Sequence, residues 1–372
     1  MPKDPARERA EQLLEIADVR IDGDRPWDIR VHDERFFARV MAEGALGLGE
    51  AYMDGWWDCE RLDEFIHLAM SADLEMRIEP WKDALRVLGS RLLNRQRRAR
   101  AFDIGRRHYD IGNDLFSRML DARMIYSCGY WKDATTLDEA QEAKLDLVCR
   151  KLGLRPGMRV LDIGCGWGGA SRFAAERYGV SVVGITVSAE QVAHARRLCH
   201  GLDVEIRLQD YRDLEGTFDR ALSIGMFEHV GYKNYRTFMR VVRRHLAEDG
   251  LFLLHTIGSN HSVRKNDPWT ERYIFPNSML PSAAQIGAAL EGTFVLEDWH
   301  GFGPDYDRTL MAWHANVERY WPELADRYGE RFHRMWTYFL LSSAGGFRSR
   351  KSQLWQLALS PRGVPGGYRA PR

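Results

Sequence analysis

The stretch Leu161-Asp162-Ile163-Gly164-Cys165-Gly166-Trp167-Gly168-Gly169 constrains this chain more than any other. An apolar run through Val160 precedes it, and a helical pattern from Ala170 follows. Glycine takes positive φ freely and has no side chain in the way. A strand that turns into a helix over Gly164, Gly166 and Gly169 therefore brings backbone N–H groups close to a ligand. The flanking sequence has the matching alternation. Residues 159–163, 180–187, 204–208, 220–224 and 251–256 read as buried strands, with helical stretches between them. That order predicts an α/β fold with a doubly wound, Rossmann-like parallel sheet and ligands at the carboxyl ends of its strands.

A chain of 372 residues is long enough for two domains. Residues 1–100 read as a smaller, mostly helical domain and residues 101–372 as the domain carrying the sheet. Within the first, Phe36-Phe37 and Trp56-Trp57 are aromatic pairs, and Gly44-Ala45-Leu46-Gly47-Leu48-Gly49 reads as a turn or tight loop. Trp81, Leu85, Leu88 and Leu92 recur at helical spacing. Residues 86–107 hold eight arginines against one acid, Asp103. This stretch is either a solvated helix face with a linker or a basic amphipathic surface for anionic lipid headgroups. Beyond residue 268, Phe294-Val295-Leu296 gives a strand signal, followed by Thr309-Leu310-Met311-Ala312-Trp313 and then helices. Residues 363–372 read as a loose tail.

Lys plus Arg and Asp plus Glu number 53 each, so no global field draws the chain to nucleic acid. No apolar run approaches the roughly 18 residues of a spanning helix. The first residues lack an apolar signal core. The five cysteines form no C-x-x-C pair, so neither a disulfide scaffold nor a zinc ribbon is expected, and a reducing cytoplasm fits best.

Gly164-x-Gly166-x-x-Gly169 matches the dinucleotide fingerprint, but a nicotinamide enzyme also wants an acid at the end of the next strand. Here that strand ends Gly184-Ile185-Thr186-Val187-Ser188, without one. With Asp162 the pattern becomes D-x-G-x-G, which resembles the first motif of class I S-adenosylmethionine-dependent methyltransferases. On that reading Asp162, Gly164, Cys165, Gly166, Trp167 and Gly168 form the cofactor turn. Ser188 and Gln191 have capping-box spacing. They and Thr186 are equally placed to meet the ribose or methionine end. Gln209-Asp210-Tyr211 ends the following strand, where the adenine is expected. Asp210 can accept from its amino group, and Tyr211 either packs on the ring or packs in the core.

Further stretches resemble the cyclopropane fatty acid synthase family. They are His108-Tyr109-Asp110-Ile111-Gly112-Asn113-Asp114, Tyr126-Ser127-Cys128-Gly129-Tyr130-Trp131, Gly225-Met226-Phe227-Glu228-His229-Val230-Gly231 and Leu254-His255-Thr256-Ile257-Gly258. Asp305-Tyr306-Asp307-Arg308 with the residues to Trp313, Gln353-Leu354-Trp355-Gln356, and the segment from Gly47 to Trp57 extend the likeness over nearly the whole chain. The resemblance implies transfer of the cofactor's methyl carbon to a cis double bond of an unsaturated phospholipid acyl chain, through a carbocation deprotonated by bound bicarbonate. It assigns the bicarbonate to Cys128, Glu228, His255, the backbone of Ile257, and Tyr306. It also adds Tyr126 and Ser127 to the cofactor side, and it calls for no metal.

The resemblance further implies a lipid-contacting domain in residues 1–100, a homodimer, and peripheral association with the inner membrane from the cytoplasm. Exposed aromatics beside the basic stretch would then touch the bilayer surface. Some family members carry a cysteine where this chain has Ser343, so no thiol there is required for turnover. A methyl-branching or methylene-forming acyl methyltransferase, small-molecule N-methylation, and a non-catalytic lipid-binding protein are the competing readings.

Overall fold

A computed structural model describes residues 4–77 and 112–372. The helical spacing of Trp81 to Leu92, the arginine-rich stretch at residues 86–107 and the first part of the His108–Asp114 motif lie outside the described residues. In chain order come α1 (Pro5–Ile16), β1 (Arg30–Val31), α2 (Arg35–Glu43), α3 (Ala45–Met53), β2 (Trp57–Asp58), α4 (Leu62–Ser71) and α5 (Leu74–Arg77). Then follow α6 (Asn113–Met119), α7 (Leu137–Lys151), β3 (Arg159–Ile163), α8 (Gly169–Tyr178), β4 (Ser181–Thr186), α9 (Ala189–Leu198), β5 (Val204–Leu208), β6 (Phe218–Ile224) and α10 (Tyr235–His245). The last are β7 (Leu246–Ser259), α11 (Pro268–Tyr273), α12 (Ala283–Leu290), β8 (Val295–Gly301), α13 (Pro304–Tyr328), α14 (Glu330–Arg348) and β9 (Ser352–Ser360).

The chain divides into two compact units. Met1–Leu93, Lys265–Pro276 and Tyr306–Ser352 form the first, and the remainder forms the second. A single cut near residue 100 therefore does not describe the units, because two later segments join the first. Their anchors are specific. Arg348 pairs with Asp63 at 2.7 Å, Glu64 at 2.8 Å and Asp307 at 2.9 Å. Arg334 donates to the Trp57 carbonyl and Asp58 and lies over the Tyr52 ring at 4.2 Å.

One expectation for this unit is overturned. Gly47 and Gly49 lie inside helix α3, not in a loop. A Cβ at Gly47 would stand 2.6 Å from the Arg39 carbonyl oxygen, and one at Gly49 would stand 2.5 Å from Trp269. These glycines serve close packing, which sequence reads as a break. Phe36, Phe37 and Trp57 are fully or almost fully buried, and Arg35 and Arg39 cover Trp56. Phe36, Phe37 and Trp57 build the unit's core with Tyr52 and Phe65.

The second unit holds a seven-stranded sheet in the order β5-β4-β3-β6-β7-β9-β8. The first five strands pair in parallel, while β8 and β9 are antiparallel. The expected α/β, doubly wound sheet is present, with β3 and β6 at the point where the strand order reverses. Strand β9 was not read from sequence, and the 309–313 stretch lies within helix α13. The segment foreseen as a loose tail is docked. Tyr368 O–H donates to the Lys151 carbonyl at 2.8 Å, Arg372 forks onto Asp298, and Val364 packs on the core. Among the described residues no helix is long and apolar enough to cross a membrane.

Gly345 tests the first unit. A Cβ there would lie 2.6 Å from the Asp63 carbonyl oxygen and 2.9 Å from the His67 amide nitrogen, and neither backbone group can swing away. Gly345→Ala should cost about 2 kcal/mol despite the better helix former, through overpacking. Urea midpoints of the full chain measure it, and an unchanged or higher midpoint would contradict this packing.

Candidate active site

The glycine turn sits at the carboxyl end of β3. Gly164, Gly166 and Gly168 adopt φ of 84°, 55° and 88°, where a side chain is strained. A Cβ on Gly164 would stand 2.7 Å from Met226, and one on Gly169 would stand 2.2 Å from the Arg123 carbonyl oxygen. Gly164 and Gly169 thus pack with only hydrogen atoms to spare, while the space beside Gly166 is open. Trp167 is buried, donates its indole N–H to Asn113 at 3.0 Å and tilts against Phe116. Cys165 faces Val192, Ala195 and Ile206, with Gly184 making room for its sulfur. Asp162 accepts from the Ser171 hydroxyl at 2.7 Å, which ties β3 to helix α8. Burial raises its pKa to about 6.

At the next strand end the cap is formed as foreseen: Ser188 Oγ accepts from the Gln191 N–H at 3.3 Å. Thr186 Oγ1 donates to Gln191 Oε1 at 2.7 Å and accepts from the Ser188 N–H. The three side chains are buried together at the start of α9. The Gln209 N–H donates to the Thr186 carbonyl at 2.9 Å, so the ends of β4 and β5 adjoin. Asp210 is buried and accepts from the Arg212 N–H at 2.9 Å. The Tyr211 ring belongs to the main core, edge-on to Phe238 at 5.2 Å, which is the packing alternative for this residue.

The residues assigned to an oxyanion divide between the units. Cys128, Glu228, His255 and Ile257 lie in the second. Tyr306 belongs to the first, buried and stacked on Phe347 at 4.6 Å. Register pairs Ile224 of β6 with His255 of β7, and the Gly225 N–H donates to the His255 carbonyl at 3.0 Å. The turn after β6 then carries Glu228 back over β7, where its Oε1 accepts from the Ile257 N–H at 2.7 Å. That amide was assigned to the anion directly; in this structure Glu228 holds it.

Glu228 Oε2 and His255 Nε2 are buried and have no hydrogen-bond partner among the described residues. Burial raises the Glu228 pKa to about 7, against the hydrogen bonds from Ile257 and Thr256. Burial, with the fields of Lys144 and Lys151, holds His255 well below its usual range, so its ring is neutral. Its Nδ1 lies 3.2 Å from the amide nitrogen of Gln356. That nitrogen can only donate, so Nδ1 accepts and Nε2 carries the hydrogen. One acceptor and one donor, both buried and unused, match a small oxyanion that carries a hydroxyl.

Cys128 is fully buried, and its thiol lies 3.1 Å from the Gly129 carbonyl. Helix α7 holds this turn from one face. The Tyr130 N–H donates to the Ala140 carbonyl at 2.8 Å, Gln141 donates to the Ser127 carbonyl at 2.7 Å, and Lys144 donates to the Ser127 hydroxyl at 2.8 Å. A Cβ on Gly129 would stand 2.8 Å from that of Ala140. Ser127 in turn lies against Gly225, and the Tyr126 ring meets Phe116 edge-on. Sequence reasoning missed Gln141, Lys144 and Gln356. A glutamine and a lysine in an otherwise charged helix carry no distinguishing pattern, and Gln356 was visible only as part of a motif.

The family profile described as "Mycolic acid cyclopropane synthetase" matches residues 96–357. The chain is 56% identical over 373 residues to the cyclopropane-fatty-acyl-phospholipid synthase of Escherichia coli strain K12, covering 100% of this chain and 97% of that protein. It is 37% identical over 268 residues to a probable fatty acid methyltransferase of Pseudomonas putida, covering 68% of each. The crystal structure of mycolic acid cyclopropane synthase CmaA1 in complex with SAH (S-adenosylhomocysteine) and CTAB superposes with a TM-score of 0.65. It shows 32% identity and covers 69% of this chain and 97% of that one.

The raised Glu228 pKa makes a prediction about stability. Unfolded, the group titrates near its ordinary 4.5; folded, near 7. Between those values the folded state keeps a proton that the unfolded state has lost. The group's contribution to stability therefore falls as pH rises through this window and stays low above it. Glu228→Gln keeps an acceptor for the Ile257 N–H and removes the titration. The stability of the variant relative to the natural chain should rise by about 2 kcal/mol between about pH 5 and about pH 8. Urea unfolding at the two pH values measures this, and a constant difference would refute the raised pKa.

Proposed function

This chain belongs to the cyclopropane synthetase family and is an S-adenosylmethionine-dependent methyltransferase, and we propose that it is a cyclopropane-fatty-acyl-phospholipid synthase. The observation that carries the reading is the identity of 56% along the whole chain to the Escherichia coli enzyme of that name. The proposed acceptor is the cis double bond of an unsaturated phospholipid acyl chain. S-adenosylmethionine, when bound, supplies an electrophilic methyl group. The turn from Gly164 to Gly168, with Thr186, Ser188 and Gln191 at the next strand end, would hold it. Ser127 and Asp210 complete the proposed set. The close-packed glycines and the buried polar side chains at adjoining strand ends fit such a cofactor.

An alkene is a weak nucleophile, so orientation and exclusion of water matter more here than a strong base. Cys128, Glu228 and His255 are nearly or fully buried, which suits a step whose cationic species water would trap. Closing the ring releases a proton, and bicarbonate, when bound, supplies the base for it. In this reading His255 Nε2–H donates to the anion and Glu228 Oε2 accepts its hydroxyl proton. Ile257 acts through Glu228, whose Oε1 it holds, and the Cys128 thiol and Tyr306 hydroxyl are the remaining proposed donors. The reading includes docking on the bilayer surface by a homodimer from the cytoplasmic side, with residues 1–100 contributing the lipid contact.

One observation favours a second reading. The relative from Pseudomonas putida is described as a probable fatty acid methyltransferase. A hydride shift before deprotonation would leave a methyl branch or a methylene group in place of a ring.

Cells expressing the chain should accumulate phospholipid acyl chains heavier by one CH₂, with upfield cyclopropane signals in the proton NMR spectrum. An unchanged acyl profile with folded protein would reject the proposal, and a mass gain without those signals would favour the second reading. Glu228→Gln should bind S-adenosylmethionine as the natural chain does in calorimetry, while turnover falls about 100-fold. Undiminished turnover would remove Glu228 from the proton path.

A further inference from the structure

The oxyanion site has a charge problem. A small anion buried among a thiol, a neutral imidazole and a carboxyl group meets no opposite charge there, and burying an uncompensated ion is costly. Among the described residues, the ammonium groups whose fields reach His255 are those of Lys144 and Lys151. Lys151 is matched locally by Asp298 at 3.3 Å, with His300 at 3.1 Å. Lys144 is not. It is fully buried, donates to the Ser127 hydroxyl at 2.8 Å and, among the described residues, has no carboxylate in ion-pair contact.

The carboxylates whose fields reach Lys144 are engaged elsewhere. Asp121 accepts from the Ile125 N–H at 2.8 Å and the Arg123 N–H at 3.0 Å, and Asp162 accepts from Ser171. Burial pushes both toward the neutral acid, and it lowers the Lys144 pKa to about 8, which still leaves the ammonium the main form at neutral pH. Lys144 also acts on Cys128. Its bond to Ser127 has a geometric consequence. The hydroxyl oxygen accepts from the ammonium, so the Ser127 proton is left to donate elsewhere, on a side chain beside Gly225 and one residue from Cys128.

We propose that Lys144 is a positioning residue that supplies the buried positive charge for a small oxyanion at Cys128, Glu228 and His255, acting through the Ser127 hydroxyl and through its field. The inference rests on the bicarbonate reading proposed above and extends it to a residue outside that set. It explains a lysine buried in the inner face of α7, where an apolar residue would be cheaper to bury.

The test separates charge from hydrogen bonding. Lys144→Gln keeps an N–H donor for Ser127 and loses the charge, whereas Lys144→Arg keeps the charge. Turnover is measured against added bicarbonate in carbonate-depleted buffer, with S-adenosylmethionine affinity read by calorimetry. The half-saturating bicarbonate concentration should rise about tenfold or more in Lys144→Gln and stay within about threefold in Lys144→Arg, with cofactor affinity unchanged in both. Lys144→Met, which fills the same space but removes both the charge and the donor to Ser127, is the second neutral variant should the first fail to fold, and it should raise the half-saturating concentration at least as much as Lys144→Gln. A natural chain that depends on bicarbonate, together with unshifted neutral variants, would overturn the role of Lys144 alone. A natural chain indifferent to bicarbonate would overturn the anion reading and this inference with it.

Discussion

A carboxyl group, an imidazole and an ammonium buried away from water must each be held by a definite partner, and the site in the second unit is organised around that requirement. Ile257 holds Glu228, Gln356 holds His255, and Ser127 holds Lys144. The three partners come from the β7 backbone, the β9 strand and the turn after Ile125, so the site exists only when the sheet and α7 are assembled. After this pairing Glu228 Oε2, His255 Nε2 and the Gln356 side-chain oxygen are left buried without a hydrogen-bond partner among the described residues.

The glycine turn and this polar cluster depend on the same strand ends. The strand order reverses at β3 and β6, and the turn after β3 and the turn after β6 touch through Gly164 and Met226. Two residues beyond Met226 stands Glu228. A cofactor held by the first turn and an anion held beside the second are therefore neighbours by construction of the sheet. In the proposed reaction this nearness lets the carbon donor and the proton acceptor serve one alkene.

Legibility followed burial. Strands β3, β4, β6 and β7 lie inside the sheet and carry buried apolar runs bounded by turns, while the edge strand β5 alternates Glu205 and Arg207 with Val204, Ile206 and Leu208. β9 escaped notice because it carries Gln353 and Gln356 among its apolar residues, and only its place beside β7 explains a buried amide. The glycines of α3 misled for a related reason. A glycine that opens a turn and a glycine that lets Trp269 approach a helix look the same in a sequence. The docked segment after residue 360 was likewise invisible, since Tyr368 and Arg372 declare their partners, Lys151 and Asp298, only in three dimensions.

By itself the sequence determined the parallel strands and the glycine turn after β3, because local period and motif spacing are properties of neighbours along the chain, whereas Cys128, Glu228 and His255 entered as site candidates only through the family resemblance. Only the tertiary structure decided that Glu228 takes the Ile257 amide, that Gln356 sets which ring nitrogen of His255 carries the hydrogen, and that Lys144 is buried behind Ser127. It also decided that the segments around Trp269 and Arg348 join the first unit. The physical reason is common to all four. Each is a pairing between residues far apart in sequence, selected by the cost of leaving a buried polar group or a core face without its partner.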